Sequence, residues 1–161
     1  MTKTQWYIGA PNAVVLCMNT LDGDEVAGLL YHSYSTEPTA FDTMEEMTLQ
    51  MEMLYDALQF PHPATNKRSF APEAKETAPR KERKRIMSDE ELLSRHGDIG
   101  TFIVRVQHRQ NSSWQGRITW MERDQTLSFR STWEMIKLIE SALDTVSHQE
   151  NTTEISWDTA E

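Results

Sequence analysis

Residues 102–146 read FIVRVQHRQNSSWQGRITWMERDQTLSFRSTWEMIKLIESALDTV. Apolar residues alternate with polar ones from Phe102 to Val106, which is typical of a half-buried strand, and further strand patterns follow at 114–122 and 126–130. The capping sequence Ser131–Glu134 then opens a helix, and apolar residues recur at helical spacing as far as Val146. The stretch therefore predicts an antiparallel β-meander whose helix packs on one face of its strands.

The same pattern occurs 88 residues earlier, in Val14–Leu58. A hairpin signal at 21–25 separates two strand patterns, and a second capping sequence, Thr43–Glu46, opens a helix with apolar residues at helical spacing. Six positions are identical when the two stretches are aligned without a gap: Gly28/Gly116, Phe41/Phe129, Glu46/Glu134, Met47/Met135, Glu52/Glu140 and Asp56/Asp144. Self-similarity of this kind indicates an internal repeat.

These patterns predict an α+β fold in which two pseudo-repeated antiparallel β-meander-plus-helix units are joined by a flexible linker. The first unit is expected at 1–61, with an additional strand at 5–9, and a charged linker at 62–87. A short helix and the second unit are expected at 88–146, and a mobile acidic tail at 147–161. The two units could share one continuous sheet or pack as two layers, and the sequence favours neither arrangement.

Composition limits the classes of function. The 161 residues carry a formal net charge of −9, which opposes long-range attraction to nucleic acid. No apolar run approaches the ~20 residues that span a bilayer, the first residues do not resemble a signal peptide, and the single cysteine, Cys17, excludes an internal disulfide framework. A cytoplasmic location without membrane contact is expected.

Motifs for catalysis are missing from the sequence. The five histidines do not have metal-ligand spacing with one another or with Cys17, and the glycines form no phosphate-binding loop. The acidic stretch 22–25 is interpreted as a turn rather than as a cation site, because the other EF-hand ligand positions are missing. The repeated helix carboxylates could form a catalytic dyad, but caps and solvated helix faces account for them better. We therefore expect a protein that is not an enzyme and that needs neither cofactor nor metal.

Two binding surfaces remain. The first is the acidic face of the first helix, which we expect to contact a protein partner with a basic surface through Glu45, Glu46, Glu52 and Asp56. The alternative is contact with nucleic acid through arginine-rich strands and the basic linker, at Arg105, Arg109, Arg117, Arg83, Lys84 and Arg85.

Aromatic residues on the strands have two interpretations. Trp114 and Trp120 beside the arginines could stack nucleobases, but strand alternation places them on the apolar face, which favours burial in the core. Phe41 and Phe129 lie just before the helix caps, and they are expected to anchor each sheet to its helix.

One further indication comes from the combination of an RVQ-type strand, WQGxxxW, FRS and an amphipathic helix at 97–144, with MSDEELL as a leader. This combination resembles an uncharacterised small-domain family of gut Firmicutes, many members of which look like cargo of phages and conjugative elements. The resemblance implies no known activity and no catalytic residues. By analogy with other small acidic proteins of mobile elements, it implies an inhibitor of a host nucleic-acid-processing complex of the defence or CRISPR type, comparable to an anti-CRISPR protein.

Overall fold

The computed structural model describes residues 11–23, 25–62, 70 and 84–158, with side chains described as far as residue 147. The strand expected at 5–9 and most of the linker expected at 62–87 lie outside these residues. The described part forms one antiparallel sheet in the order β3-β2-β1-β4-β5-β6. The strands are β1 (Val14–Asp22), β2 (Glu25–His32), β3 (Thr39–Phe41), β4 (Gly100–His108), β5 (Gln115–Trp120) and β6 (Gln125–Phe129). The helices are α1 (Met44–Leu58), α2 (Asp89–Leu93) and α3 (Thr132–Asp158).

The predicted α+β class is confirmed, and the halves of the chain share one continuous sheet. They meet where β1 pairs with β4, and within that junction Val15 lies opposite Ile103, 88 residues further along the chain. The other pairings also recur at this offset. Gly28 pairs with Phe41, as Gly116 pairs with Phe129. An irregularity in β1 between residues 18 and 20 has its counterpart in β4 between residues 106 and 108.

The glycine–phenylalanine pairs have a steric cause. A Cβ on Gly28 would overlap the carbonyl oxygen of Cys17, and a Cβ on Gly116 would overlap that of Arg105. Each glycine lies directly opposite a buried phenylalanine, Phe41 or Phe129, and the Phe41 ring lies 3.0 Å from the position that a Cβ on Gly28 would take. Phe41 and Phe129 are therefore buried core residues, as predicted.

The main core lies on the sheet face that carries α1 and α3. Each helix contributes a stripe of buried apolar residues, which for α1 comprises Met47, Met51, Leu54, Tyr55 and Leu58 and for α3 includes Met135, Ile139, Ala142 and Leu143. The helices therefore cover the same side of one sheet and form a two-layer architecture.

A smaller core lies on the opposite sheet face, over β1 and the neighbouring part of β4. Met87 and Leu92 pack there against Val15, Cys17 and Ile103. The backbone N–H groups of residues 86 and 87 donate hydrogen bonds to the carbonyl oxygen of residue 33. The predicted linker boundary at residue 87 is therefore wrong, because the chain is already docked at residues 86–87.

Helix α3 is longer than predicted. It continues through the beginning of the expected acidic tail and ends at Asp158. The segment 147–158 contains neither glycine nor proline, so nothing in its sequence stops a helix that has already formed. The acidic tail expected at 147–161 is therefore helical as far as Asp158, and its mobility stays a prediction.

Candidate protein-interaction surface

Helix α1 begins at a reciprocal capping box. The hydroxyl of Thr43 accepts a hydrogen bond from the backbone N–H of Glu46 at 3.0 Å, and the Glu46 carboxylate accepts one from the N–H of Asp42 at 3.1 Å. These bonds satisfy two backbone donors that an uncapped helix would leave without partners. Glu46, one of the predicted partner-binding residues, therefore has a structural role at the start of the helix.

The outer face of α1 combines carboxylates with exposed apolar side chains. The helix contains four acidic residues and no basic residue. Leu49 and Met53 lie one turn apart with 58% and 65% of their surface exposed, and Glu45 is exposed one turn before Leu49. We call Glu45, Leu49, Met53 and Asp56 the α1 outer face. Adjacent exposed apolar residues surrounded by charge are typical of a protein-binding surface.

A buried arginine occupies the end of this face. Arg109, which follows β4, is only 4% exposed. Its Nη1 atom lies 2.7 Å from the Asp56 carboxylate and 3.3 Å from that of Glu52, and its Nε donates to the carbonyl oxygen of Pro61 at 2.6 Å. The indole Nε1 of Trp114 donates to the second Glu52 oxygen at 2.6 Å. These contacts fasten α1 to the β4–β5 hairpin of the other half.

The Arg109 contacts change the roles of three predicted site residues. Glu52 and Asp56, proposed from the sequence for a basic partner, already bind a basic residue of the same chain. Arg109, proposed for nucleic acid, is buried by that contact, and its interpretation as a nucleic-acid contact is wrong. Glu45 is the predicted acidic residue whose side chain is exposed without a structural role evident among the described contacts.

Tyr55 lies beneath the ion pairs. Its side chain is fully buried, and its ring meets that of Trp114 edge to face at a centroid distance of 5.4 Å. Its hydroxyl has no hydrogen-bond partner among the described residues. Burial and the nearby Glu52 carboxylate raise the pKa of Tyr55, so the phenol stays protonated.

We expect Tyr55→Phe to stabilise the fold by about 1 kcal/mol, because it removes a buried polar group that has no partner and keeps the ring contacts. Urea unfolding followed by tryptophan fluorescence would measure the change. A loss of stability of similar size would show that the hydroxyl has a partner after all.

The remaining predicted cations lie away from α1. Arg105 and Arg117 are opposite each other across β4 and β5, on the sheet face that carries neither α1 nor α3. Burial, and then the charge of Arg117, lower the pKa of Arg105, whose Nη2 lies 3.3 Å from the Thr119 hydroxyl. Lys84 and Arg85 are exposed, whereas Arg83 lies outside the described residues.

The tryptophans belong to the core, as the strand pattern favoured. Trp114 is 4% exposed, and Trp120 packs at the edge of the main core, with Phe102 on one side and the Arg123 guanidinium 5.3 Å from its ring centroid. The interpretation of the pair as a platform for nucleobases is wrong.

The pKa of the Cys17 thiol is raised to about 11, mainly because the side chain is buried. The thiol is therefore protonated at neutral pH and is a poor nucleophile. Within 11–23, 25–62, 70 and 84–158, no three His, Cys, Asp or Glu residues are grouped as a metal site would require. In the same part of the chain, no helix has the length and apolarity to cross a membrane.

Two residues of the α1 outer face were not predicted from the sequence. Leu49 and Met53 are apolar but fall outside the helical stripe that predicted the buried side of α1. Their position outside the stripe could have indicated this exposure, because an apolar residue outside the buried stripe of a helix is expected to face solvent.

Comparison with protein-family models, with curated proteins and with solved structures finds no match to this chain.

Proposed function

We propose that this chain is a non-enzymatic, cytoplasmic protein that binds a macromolecule, and that its partner is a protein with a basic surface. The observation that carries the proposal is the α1 outer face, where Leu49 and Met53 are exposed between the carboxylates of Glu45 and Asp56. A few buried anchor residues contribute most of the affinity of a protein interface, while surrounding charges help to select the partner. An acidic surface repels phosphate and attracts the groove of a protein that binds nucleic acid.

In a more specific form of the proposal, this chain is encoded by a mobile element and inhibits a host nucleic-acid-processing complex of the defence or CRISPR type. The net charge of −9 supports it, because an acidic protein can occupy a basic channel in place of a nucleic acid. The sequence resemblance to mobile-element cargo supports it by analogy.

Cleavage assays with purified RNA-guided nucleases and restriction endonucleases would test this function. We expect one of them to be inhibited at near-stoichiometric ratios, and Leu49→Gln combined with Met53→Gln to weaken inhibition at least tenfold, or about 1.4 kcal/mol. Ile86→Gln combined with Leu127→Gln is the matched control, because these side chains are 58% and 55% exposed elsewhere on the molecule. Unchanged inhibition by the Leu49 and Met53 double variant would exclude the α1 outer face as the binding surface. Failure to inhibit any of the tested nucleases would contradict the inhibitor function.

An alternative function is that of a nucleic-acid-binding accessory protein. The observation that favours it is the direct opposition of Arg105 and Arg117 across β4 and β5, because a phosphate bound between two like charges would relieve the repulsion between them. Such a protein would bind DNA or RNA alone, with an affinity that falls steeply with salt, and Arg117→Gln would reduce the salt slope by about 1. An unchanged slope would exclude this role for Arg117.

We also infer that the chain consists of two copies of one meander-helix unit. The supporting observations are the pairing register, the strand irregularity and the opposed glycine and phenylalanine, each of which recurs after 88 residues. The capping boxes recur as well: Ser131 accepts a hydrogen bond from Glu134 as Thr43 does from Glu46. Equivalent positions can therefore be compared between the two halves.

A further inference from the structure

Helix α3 carries a second carboxylate pair. Glu140 and Asp144 stand 88 residues after Glu52 and Asp56. They face the β1–β2 hairpin across a cleft of about 300 Å³, which we call the α3 cleft. Its lining consists of Leu21, Gly23, Val26, Lys137, Glu140, Leu143 and Asp144.

The corresponding place beside α1 is filled. There, Arg109 and Trp114 of the β4–β5 hairpin reach the carboxylates of Glu52 and Asp56. The residues 88 positions before Arg109 and Trp114 are Leu21 and Val26, which lie opposite each other in the β1–β2 hairpin and line the α3 cleft. The same architecture therefore presents a carboxylate pair in both halves, but only the β4–β5 hairpin of the second half supplies a guanidinium and an indole N–H to the pair that it faces.

The carboxylates of the α3 cleft have little compensation from the described residues. Lys137 lies 3.8 Å from Glu140, at the outer limit of an ion pair, and its ammonium is also 4.7 Å from the Trp133 ring. No described side chain makes an ion pair or hydrogen bond with Asp144, which is exposed. Glu52 and Asp56 thus bind a buried arginine, whereas the equivalent pair, Glu140 and Asp144, is open to solvent.

We propose that the α3 cleft binds an arginine side chain of the partner protein, an inference that rests on the proposed protein-binding function. The carboxylates of Glu140 and Asp144 can share one terminal nitrogen of a guanidinium, as Glu52 and Asp56 share Nη1 of Arg109. The apolar walls at Leu21, Val26 and Leu143 suit the methylene stem of an arginine. The contact between Arg109 and α1 inside this chain independently indicates that such a carboxylate pair binds a guanidinium.

A titration with short peptides tests the cleft directly. The full chain, labelled with ¹⁵N, is titrated with the peptide acetyl-Gly-Arg-Gly-amide and separately with acetyl-Gly-Lys-Gly-amide. We expect saturable amide shifts centred on Leu21, Gly23 and Val26, and an affinity for the arginine peptide at least threefold above that for the lysine peptide. Equal affinities, or shifts centred elsewhere, would overturn the proposal.

Two variants distinguish the cleft from general attraction to an acidic protein. Glu140→Gln combined with Asp144→Asn should weaken binding of the arginine peptide at least tenfold. Glu37→Gln combined with Glu90→Gln, which removes the same charge from exposed positions outside the cleft, should change it less than twofold. Equal effects of the two double variants would overturn the proposal.

Leu21→Arg places an arginine at the position equivalent to Arg109. It should occupy the cleft from within the chain, remove peptide binding and leave the melting temperature at or above that of the parent. Retained binding in a folded Leu21→Arg protein would overturn the proposal, and the carboxylate variant decides the matter if Leu21→Arg does not fold.

The peptide titration does not depend on any nuclease. Peptide binding without inhibition of any nuclease would support arginine binding in the α3 cleft and contradict the inhibitor function. Nuclease inhibition that depends on Leu49 and Met53, but is unchanged in the variant of Glu140 and Asp144, would overturn the cleft and uphold the function.

Discussion

Replacement of Arg109 by alanine is expected to lower the free energy of unfolding by about 3 kcal/mol, because it removes a buried guanidinium that binds the partly buried Glu52 carboxylate and the more exposed Asp56 carboxylate. The side chain is 4% exposed and joins Glu52, Asp56 and the carbonyl oxygen of Pro61. Arg109→Lys should recover only part of the loss, since an ammonium cannot reproduce the several directed contacts of a guanidinium. Urea unfolding followed by tryptophan fluorescence would measure both variants.

Arg130→Ala is the matched control for Arg109. Arg130 also forms an ion pair, with Glu134 at 3.2 Å, but its side chain is 89% exposed. Exposed pairs of this kind contribute little, so the expected change is below about 0.5 kcal/mol. A similar small effect for Arg109→Ala would contradict the view that this arginine fastens α1 to the other half of the chain.

Replacement of Phe129 by alanine is expected to cost about 3–5 kcal/mol. The side chain is 2% exposed, lies in the main core and belongs to the residue opposite Gly116 on the neighbouring strand. Alanine would leave a cavity in this core. Because a domain of this size is only marginally stable, we expect Phe129→Ala to lose most of its cooperative unfolding transition, measured by calorimetry and by urea titration.

Leu127→Ala provides the control on the same strand. Leu127 is 55% exposed, so its truncation should cost less than about 1 kcal/mol. Phe41→Ala, at the equivalent position of the first half, should behave like Phe129→Ala, since Phe41 is 1% exposed and lies opposite Gly28. A cost below about 1 kcal/mol for Phe129→Ala would contradict its assignment to the core.

Local patterns predicted most of the secondary structure. The capping boxes at Thr43 and Ser131 were visible in the sequence because a hydroxyl and a carboxylate three residues apart satisfy the same backbone donors wherever a helix begins. Strand alternation placed Trp114 and Phe129 in the core for the same local reason. The continuous sheet was not predictable, since the pairing of Val15 with Ile103 depends on contacts that no local pattern records.

The candidate site was harder to predict because its pairings are long-range. Arg109 lies 57 and 53 residues from its partners Glu52 and Asp56, and nothing near these residues in the sequence indicates the contact. In the fold, Glu52 and Asp56 of one predicted surface bind Arg109 of the other. Glu45, Leu49 and Met53 remain exposed on α1, and the carboxylates of the α3 cleft are exposed on α3.

The central claim is that this chain binds a basic protein rather than nucleic acid, and fluorescence anisotropy tests it most directly. A labelled DNA duplex is titrated with the purified chain at ~150 mM salt, first alone and then bound to the RNA-guided or restriction nuclease that the cleavage assays identify. We predict no binding to the free duplex below about 10 µM and displacement of the duplex from the nuclease at near-stoichiometric ratios. Submicromolar binding to the free duplex, with no displacement from the nuclease, would contradict the claim.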